Sequence, residues 1–129
     1  MPRSSIRRVV VTGMGIVSPV GIGLDEAWGN ITAGQSGLAG ITRFDAAPFS
    51  SKIAGEVKNF DVSKWLNPKE ARRFDNFIHY GLAAGMDALK DSGLDLEKVN
   101  RERVGVCIGS GIGGLPLIES TKEALTAGG

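Results

Sequence analysis

The chain has one cysteine and one histidine in 129 residues, Cys107 and His79, and that scarcity bounds its chemistry before any fold is considered. A structural zinc site takes four Cys or His ligands, so two candidates cannot build one. A Cys–His catalytic pair is possible on count. The setting argues against it, because Cys107 lies inside the apolar run Val104-Gly105-Val106-Cys107-Ile108-Gly109. There a free thiol is expected to pack as a small hydrophobe. His79 falls on a helical pattern and reads as a surface or packing histidine rather than a base. No catalytic residue is assigned, and a disulfide framework is excluded.

Two glycine-rich turns are the other places where backbone chemistry is conceivable. Gly13-Met14-Gly15 follows an apolar run, and Gly109-Ser110-Gly111-Ile112-Gly113-Gly114 follows another. Either can be read as a dinucleotide fingerprint, in which glycines let a pyrophosphate approach a helix N-terminus. The first has Ser18 and Pro19 where the third glycine and the helix should come, and the second has no strand and acidic residue after it. Neither contains the Gly-Lys-Ser/Thr of a P-loop. The expected alternative is a pair of tight turns packed against other backbone. Ile112 is the one sizeable side chain of the second turn, and by itself reads as a core residue or as a projection into a cavity. Lys69, Arg72 and Arg73 stand at i, i+3 and i+4, which puts three cations on one helix face, either a solvated face or a docking patch. Asn30-Ile31-Thr32 matches a glycosylation sequon, and without a secretory leader that match is read as accidental.

The elements that must hold these residues are short. The chain is 42% hydrophobic and 22% charged, a balance that suits one domain with a core. Fifteen Lys and Arg oppose fourteen Asp and Glu, a net charge of +1 that gives no bulk attraction to nucleic acid or membrane. Nineteen glycines are about twice the average share, placed between apolar runs as turns and close contacts. Residues 1–5 read as a polar start, 7–12 as a buried strand, and 25–33 as a helix stopped by Gly34. Residues 35–51 read as loop and 52–57 as a short strand. The clearest element begins at Asn67, with Pro68 in the first helical position and Glu70 completing a capping box. Apolar residues at 74, 77, 78, 82, 86 and 89 then give one stripe, predicting a single long helix that Gly93 ends. Gly81, Ala83, Ala84 and Gly85 should let another helix approach it. A strand over 104–108 and a helix over 117–125 follow. Alternation of strand and helix predicts an α/β fold with a largely buried sheet, for which three strands are few.

The run Arg8-Val9-Val10-Val11-Thr12-Gly13-Met14-Gly15-Ile16-Val17-Ser18-Pro19-Val20-Gly21 resembles the opening of the β-ketoacyl-[acyl-carrier-protein] synthases. Ala33-Gly34-Gln35-Ser36-Gly37, Phe44-Asp45, residues 69–75, Tyr80-Gly81 and Ile108-Gly109-Ser110-Gly111-Ile112-Gly113-Gly114-Leu115 follow in that family's order and spacing. The isoleucine of the last motif is similar to the type II synthase. The resemblance implies a partial thiolase-like fold, the first part of the N-terminal α/β half of an α-β-α-β-α layered enzyme, with residues 1–129 an incomplete ketosynthase domain and no second domain. It implies a decarboxylative Claisen condensation of an acyl thioester with malonyl-acyl carrier protein, run by a nucleophilic cysteine, two histidines and an oxyanion hole. Those residues belong to parts of the family that this chain does not contain, so the chain alone is expected to be inactive.

The resemblance gives two groups of residues a role. It makes Ile112 a residue that reaches from one subunit to line the fatty-acyl pocket near the partner's active site. It makes Lys69, Arg72 and Arg73 a docking patch for the acidic acyl carrier protein. It implies a cytoplasmic homodimer with no cofactor, no metal, and no nucleic-acid or membrane partner. Two alternatives stay open: a polyketide-type ketosynthase or chain-length partner, and a stand-alone nucleotide-binding α/β domain.

Overall fold

A computed structural model describes residues 7–128; residues 1–6 and 129, including the whole of the expected polar start, lie outside the described residues. Its strands are β1 (Val17–Ser18), β2 (Gly21–Ile22), β3 (Leu38–Gly40) and β4 (Ile53–Gly55). Its helices are α1 (Leu24–Thr32), α2 (Pro68–Ala71), α3 (Asn76–Asp91) and α4 (Leu115–Thr126), with 3₁₀ turns at Val62–Lys64 and Arg101–Arg103. β1 and β2 form an antiparallel hairpin with Val17 opposite Ile22. β3 and β4 form a second antiparallel pair with Ala39 opposite Ala54. The first half of that pair falls where the sequence reads as loop, and the second within the expected strand 52–57.

The expected buried sheet does not form among the described residues. Residues 7–12 and 104–108 run extended without joining either ladder. Val9, Val11 and Val106 are 90%, 80% and 86% exposed, and Cys107 is exposed with them rather than packed. β-branched residues make a segment extended, but a strand is completed only by a neighbour's backbone, and pairing is a long-range event that local preference does not supply.

Both extended segments are instead laid on α3. A Cβ on Gly13 would strike the Ala88 carbonyl and the Ser92 backbone, and one on Gly15 would strike the Ala84 carbonyl and stand 2.8 Å from the Ala88 nitrogen. Met14 N–H donates to the Asp91 carboxylate at 2.9 Å, which fixes the register of that contact. Farther toward the N-terminus of α3, Ile108 side-chain atoms come within 3.5 and 3.8 Å of where Cβ atoms on Gly81 and Gly85 would stand. The small residues of α3 therefore admit extended chain, not the second helix that the spacing suggested. Ala83 and His79 are the buried residues of this helix, and Ala27 that of α1.

The single long helix expected from Asn67 to Gly93 is two helices. Asn67 does cap α2, its Oδ1 accepting from Lys69 and Glu70 N–H at 3.1 and 3.0 Å while its amide donates to Glu70 at 2.6 Å. The chain then turns at 72–74, and Asp75 takes an extended conformation (φ −79°, ψ 162°) that starts α3 afresh. Gly93 closes α3 with φ 63°, the left-handed cap for which glycine carries no Cβ penalty. An aromatic run anchors the segment before α2. Phe60 stacks on Trp65 at 5.3 Å and meets Tyr80 edge-on at 4.9 Å, while Trp65 Nε1 donates to Asp87 at 2.9 Å.

Candidate functional site

The break at Asp75 organises the part of the surface that the sequence singles out. Asp75 Oδ1 accepts from the Asn76 N–H at 2.6 Å, capping α3. Its other oxygen, Oδ2, accepts from the Leu117 N–H at 3.3 Å, in the first turn of α4. One carboxylate thus satisfies orphan donors at two helix N-termini, where negative charge is favourable. Gly114, the residue before α4, makes this possible, since a Cβ there would collide with the Asp75 carboxylate.

Arg72, Arg73, Phe74 and Asp75 face Pro116, Leu117 and Ser120 across an open groove of about 410 Å³. Arg72 is the C-terminal cap of α2 and Arg73 lies in the turn after it, so the cations do not share the first turns of one long helix. The placement is better for stability than the unbroken helix would give, because Arg72 sits at the negative end of α2. Lys69 is one turn back on α2, and all three side chains are exposed. The ion pairs among the described residues are Lys98–Asp95 and Arg101–Glu97, and neither involves them.

The turn 109–114 leads into the same region. Ile112 is 76% exposed, so it is not a core residue of this chain. Ser110 Oγ accepts from the Gly113 N–H at 3.1 Å, and Gly113 has φ 84°, which together shape the turn. A neighbouring apolar groove of about 400 Å³ is lined by Phe77, Ile78, Gly81 and Leu82 of α3 with Ile108 and Ser110. On its other side, Arg43 donates to the Tyr80 hydroxyl at 3.0 Å and to the Val57 carbonyl at 3.3 Å. Hydrogen bonding to Tyr80 raises the Arg43 pKa, and hydrogen bonds from Thr42 hold Glu56 below the usual glutamate range.

Neither glycine turn has the form of a dinucleotide site. Gly13 and Gly15 are pressed against α3, so the space a pyrophosphate would need is filled by helix backbone. At the second turn, the N-terminus of α4 already holds the Asp75 carboxylate, and a second anion there would meet like charge. Cys107 and His79 do not form a catalytic pair. Cys107 is exposed, whereas the buried His79 ring places Nε2 2.9 Å from the Ala71 carbonyl, tying the end of α2 to α3. No group of three or more His, Cys, Asp or Glu among the described residues is placed to hold a metal.

Comparison with known proteins gives the family of the chain. The sequence profile of the beta-ketoacyl synthase N-terminal domain matches residues 6–128. The chain belongs to that family. It is 54% identical over 121 residues to 3-oxoacyl-[acyl-carrier-protein] synthase 2 of Vibrio cholerae, covering 94% of this chain and 29% of that protein. It is 46% identical over 123 residues to the protein of the same name from Coxiella burnetii, covering 95% and 30%. The chain therefore spans about 30% of the length of these curated relatives. The ishigamide ketosynthase/chain length factor superposes with a TM-score of 0.73 at 30% identity, over 95% of this chain and 30% of that one. A type II polyketide ketosynthase solved in complex with its acyl-carrier protein gives a TM-score of 0.73 at 31% identity, over 93% and 32%. The α/β fold is thus a partial thiolase-like fold of the kind the resemblance implies.

The sequence reading of the site missed one residue of this β-ketoacyl synthase domain. Asp75 stands in the middle of an apolar stripe that carries on across it, so periodicity gives no sign of a helix start there. The available signal is its type: an aspartate ahead of a fresh helical turn is a strong N-cap.

Proposed function

We propose that residues 1–129 are the N-terminal part of a single ketosynthase domain in a cytoplasmic β-ketoacyl-acyl carrier protein synthase that extends fatty-acyl chains. The observation that carries this reading is identity of 43–54% with proteins named 3-oxoacyl-[acyl-carrier-protein] synthase 2, sustained over nearly the whole chain. In the reaction a thiolate of the complete enzyme takes the acyl group from its carrier thioester, releasing the carrier thiol; malonyl-acyl carrier protein then loses carbon dioxide, and the resulting carbanion attacks the enzyme-bound acyl thioester. The carbon–carbon bond forms as the thiolate leaves. The thiolate and the donors that steady its oxyanion lie outside this chain, whose one cysteine and one histidine have the surface and packing roles described above. A polyketide ketosynthase is the second reading. Its relatives among solved structures share the fold at 30–31% identity, lower than the fatty-acid relatives.

In this reading Lys69, Arg72 and Arg73 receive the acidic acyl carrier protein, and Ile112 projects across a homodimer to line the partner's acyl pocket. Exposure of all three cations, with no ion pair to them among the described residues, supports docking. The 76% exposure of Ile112, on a turn with little other side-chain bulk, supports projection. The test is charge reversal in the complete enzyme. Exposed ion pairs are worth about 0.2–1 kcal/mol each, so changing all three to Glu should raise the KM for acyl carrier protein by roughly 3- to 150-fold and flatten its salt dependence. Acyl-CoA substrates should be spared. Equal loss with both substrate forms overturns the docking role.

A further inference from the structure

We infer that Asp75 is a positioning residue that couples carrier-protein docking at Arg72 and Arg73 to the glycine turn bearing Ile112. The inference rests on the docking reading above and adds a physical link between its two parts. Arg72 and Arg73 lie in the short connection between α2 and α3, directly before Asp75. The Asp75 carboxylate is held at 2.6 Å by α3 and at 3.3 Å by Leu117 of α4, so a shift of the connection moves an acceptor that α4 uses. α4 begins immediately after the turn 109–114, and Gly114 at the end of that turn is packed against the same carboxylate.

The turn has few other restraints. Cβ atoms on Gly109 and Gly111 would meet nothing within 4 Å, and Ile112 is 76% exposed. Its defined holds are the Ser110–Gly113 hydrogen bond inside the turn, the Phe77 ring beside Gly113, and at its end the Asp75 contact and the Ile118 N–H that donates to the Gly114 carbonyl at 3.1 Å. An acidic partner gripping Arg72 and Arg73 thereby pulls on a carboxylate that also packs against the end of the turn. The connection is also tethered from the α2 side, since His79 binds the Ala71 carbonyl at 2.9 Å.

The two oxygens of Asp75 can be separated by one substitution. In Asp75→Asn the side-chain oxygen still caps α3, as Asn is a good N-cap, but an amide NH₂ replaces the oxygen that faces the Leu117 N–H. The experiment follows the ¹³C-labelled Ile112 methyl signal of the complete enzyme as holo-acyl carrier protein is added. In the unaltered enzyme the signal should shift on saturation, while the Ile31 methyl on α1 stays in place. In Asp75→Asn the carrier protein should bind within about 2-fold of the original affinity, and the Ile112 shift should fall to less than half. Gly114→Ala, which drives a methyl against the carboxylate from the other side, should give the same loss, and serves where Asp75→Asn fails to fold. Binding without any Ile112 shift in the unaltered enzyme overturns the coupling alone, as does a full shift in both variants. Absence of carrier-protein binding in the unaltered enzyme overturns the docking reading, and the coupling with it.

Discussion

Gly15→Ala is the sharpest probe of how this domain is held together. The new methyl would stand 2.8 Å from the Ala88 nitrogen and 3.0 Å from the Ala84 carbonyl carbon, and would also meet the Ala84 oxygen. Ordinary contact begins at 3.4 Å and the Ala84 oxygen is the nearest atom, so the chain must retreat from α3 by more than the 0.6 Å that the Ala88 nitrogen alone would require. Every atom it meets is helix backbone, which cannot rotate away as a side chain would. Overpacking of this kind costs about 1–3 kcal/mol. At roughly 4 °C per kcal/mol for a chain of this size, the melting temperature should fall by ~4–12 °C. Gly29→Ala is the matched control. Gly29 lies in the middle of α1, and its Cβ would meet nothing within 4 Å. Replacing a helical glycine at an open position should stabilise by about 0.5–1 kcal/mol, or ~2–4 °C. Circular dichroism at 222 nm against temperature reads both. Each variant is also melted with saturating nicotinamide dinucleotide, which raises the melting temperature of any protein that binds it. Equal melting of Gly15→Ala and the parent would refute the packing argument. A nucleotide-dependent rise in the parent that Gly15→Ala abolishes would restore the fingerprint reading in its place.

Three further outcomes follow from the same geometry. Ile112→Phe in the complete enzyme should shorten the longest acyl chain accepted while short chains react as before, read by product analysis across acyl lengths; uniform loss with a lowered melting temperature returns Ile112 to packing. His79→Leu strands the Ala71 carbonyl and should destabilise the chain by about 1–3 kcal/mol in urea unfolding, while His79→Gln, which keeps a donor, should recover at least half of the loss. Glu56 has its folded pKa depressed by hydrogen bonds from Thr42, so its contribution is complete above the ordinary glutamate pKa and is lost as pH falls through the folded value. Glu56→Gln should therefore be less stable than the parent at neutral pH, with the difference closing in the acid range below the ordinary glutamate pKa; a gap that does not change with pH would refute the assignment.

What the sequence made legible was local. The Asn67-Pro68-Glu70 box, the glycine that ends α3, α1 and α4 are each decided within a turn or two of chain, and all four are found within two residues of where they were expected. The strands were legible only as extended backbone. Val9, Val10 and Val11 have the residue types of a buried strand and are exposed, because burial needs a partner that side-chain type does not specify. The same reason exposes Cys107, whose apolar neighbours promised a core. Lys69, Arg72 and Arg73 are all exposed but do not lie on one helix, since the stripe through Phe74, Phe77 and Ile78 is continuous in sequence while the backbone is not.

That break explains how so small a core can order the surface around it. α3 receives two extended segments on its small residues, residues 13–15 along Ala84 and Ala88, and Ile108 along Gly81 and Gly85. The helix thus sets the positions of both without a ladder joining them, and the second segment runs directly into the glycine turn. Had α2 and α3 been one helix, residue 75 would sit mid-helix, its carboxylate competing with backbone already bonded i to i−4. By restarting the helix, Asp75 gains the Asn76 N–H on its own side and the Leu117 N–H from α4. The residue that interrupts the predicted helix is the one that fixes the basic connection and the glycine turn relative to α3, and a continuous α2–α3 helix could not have done so.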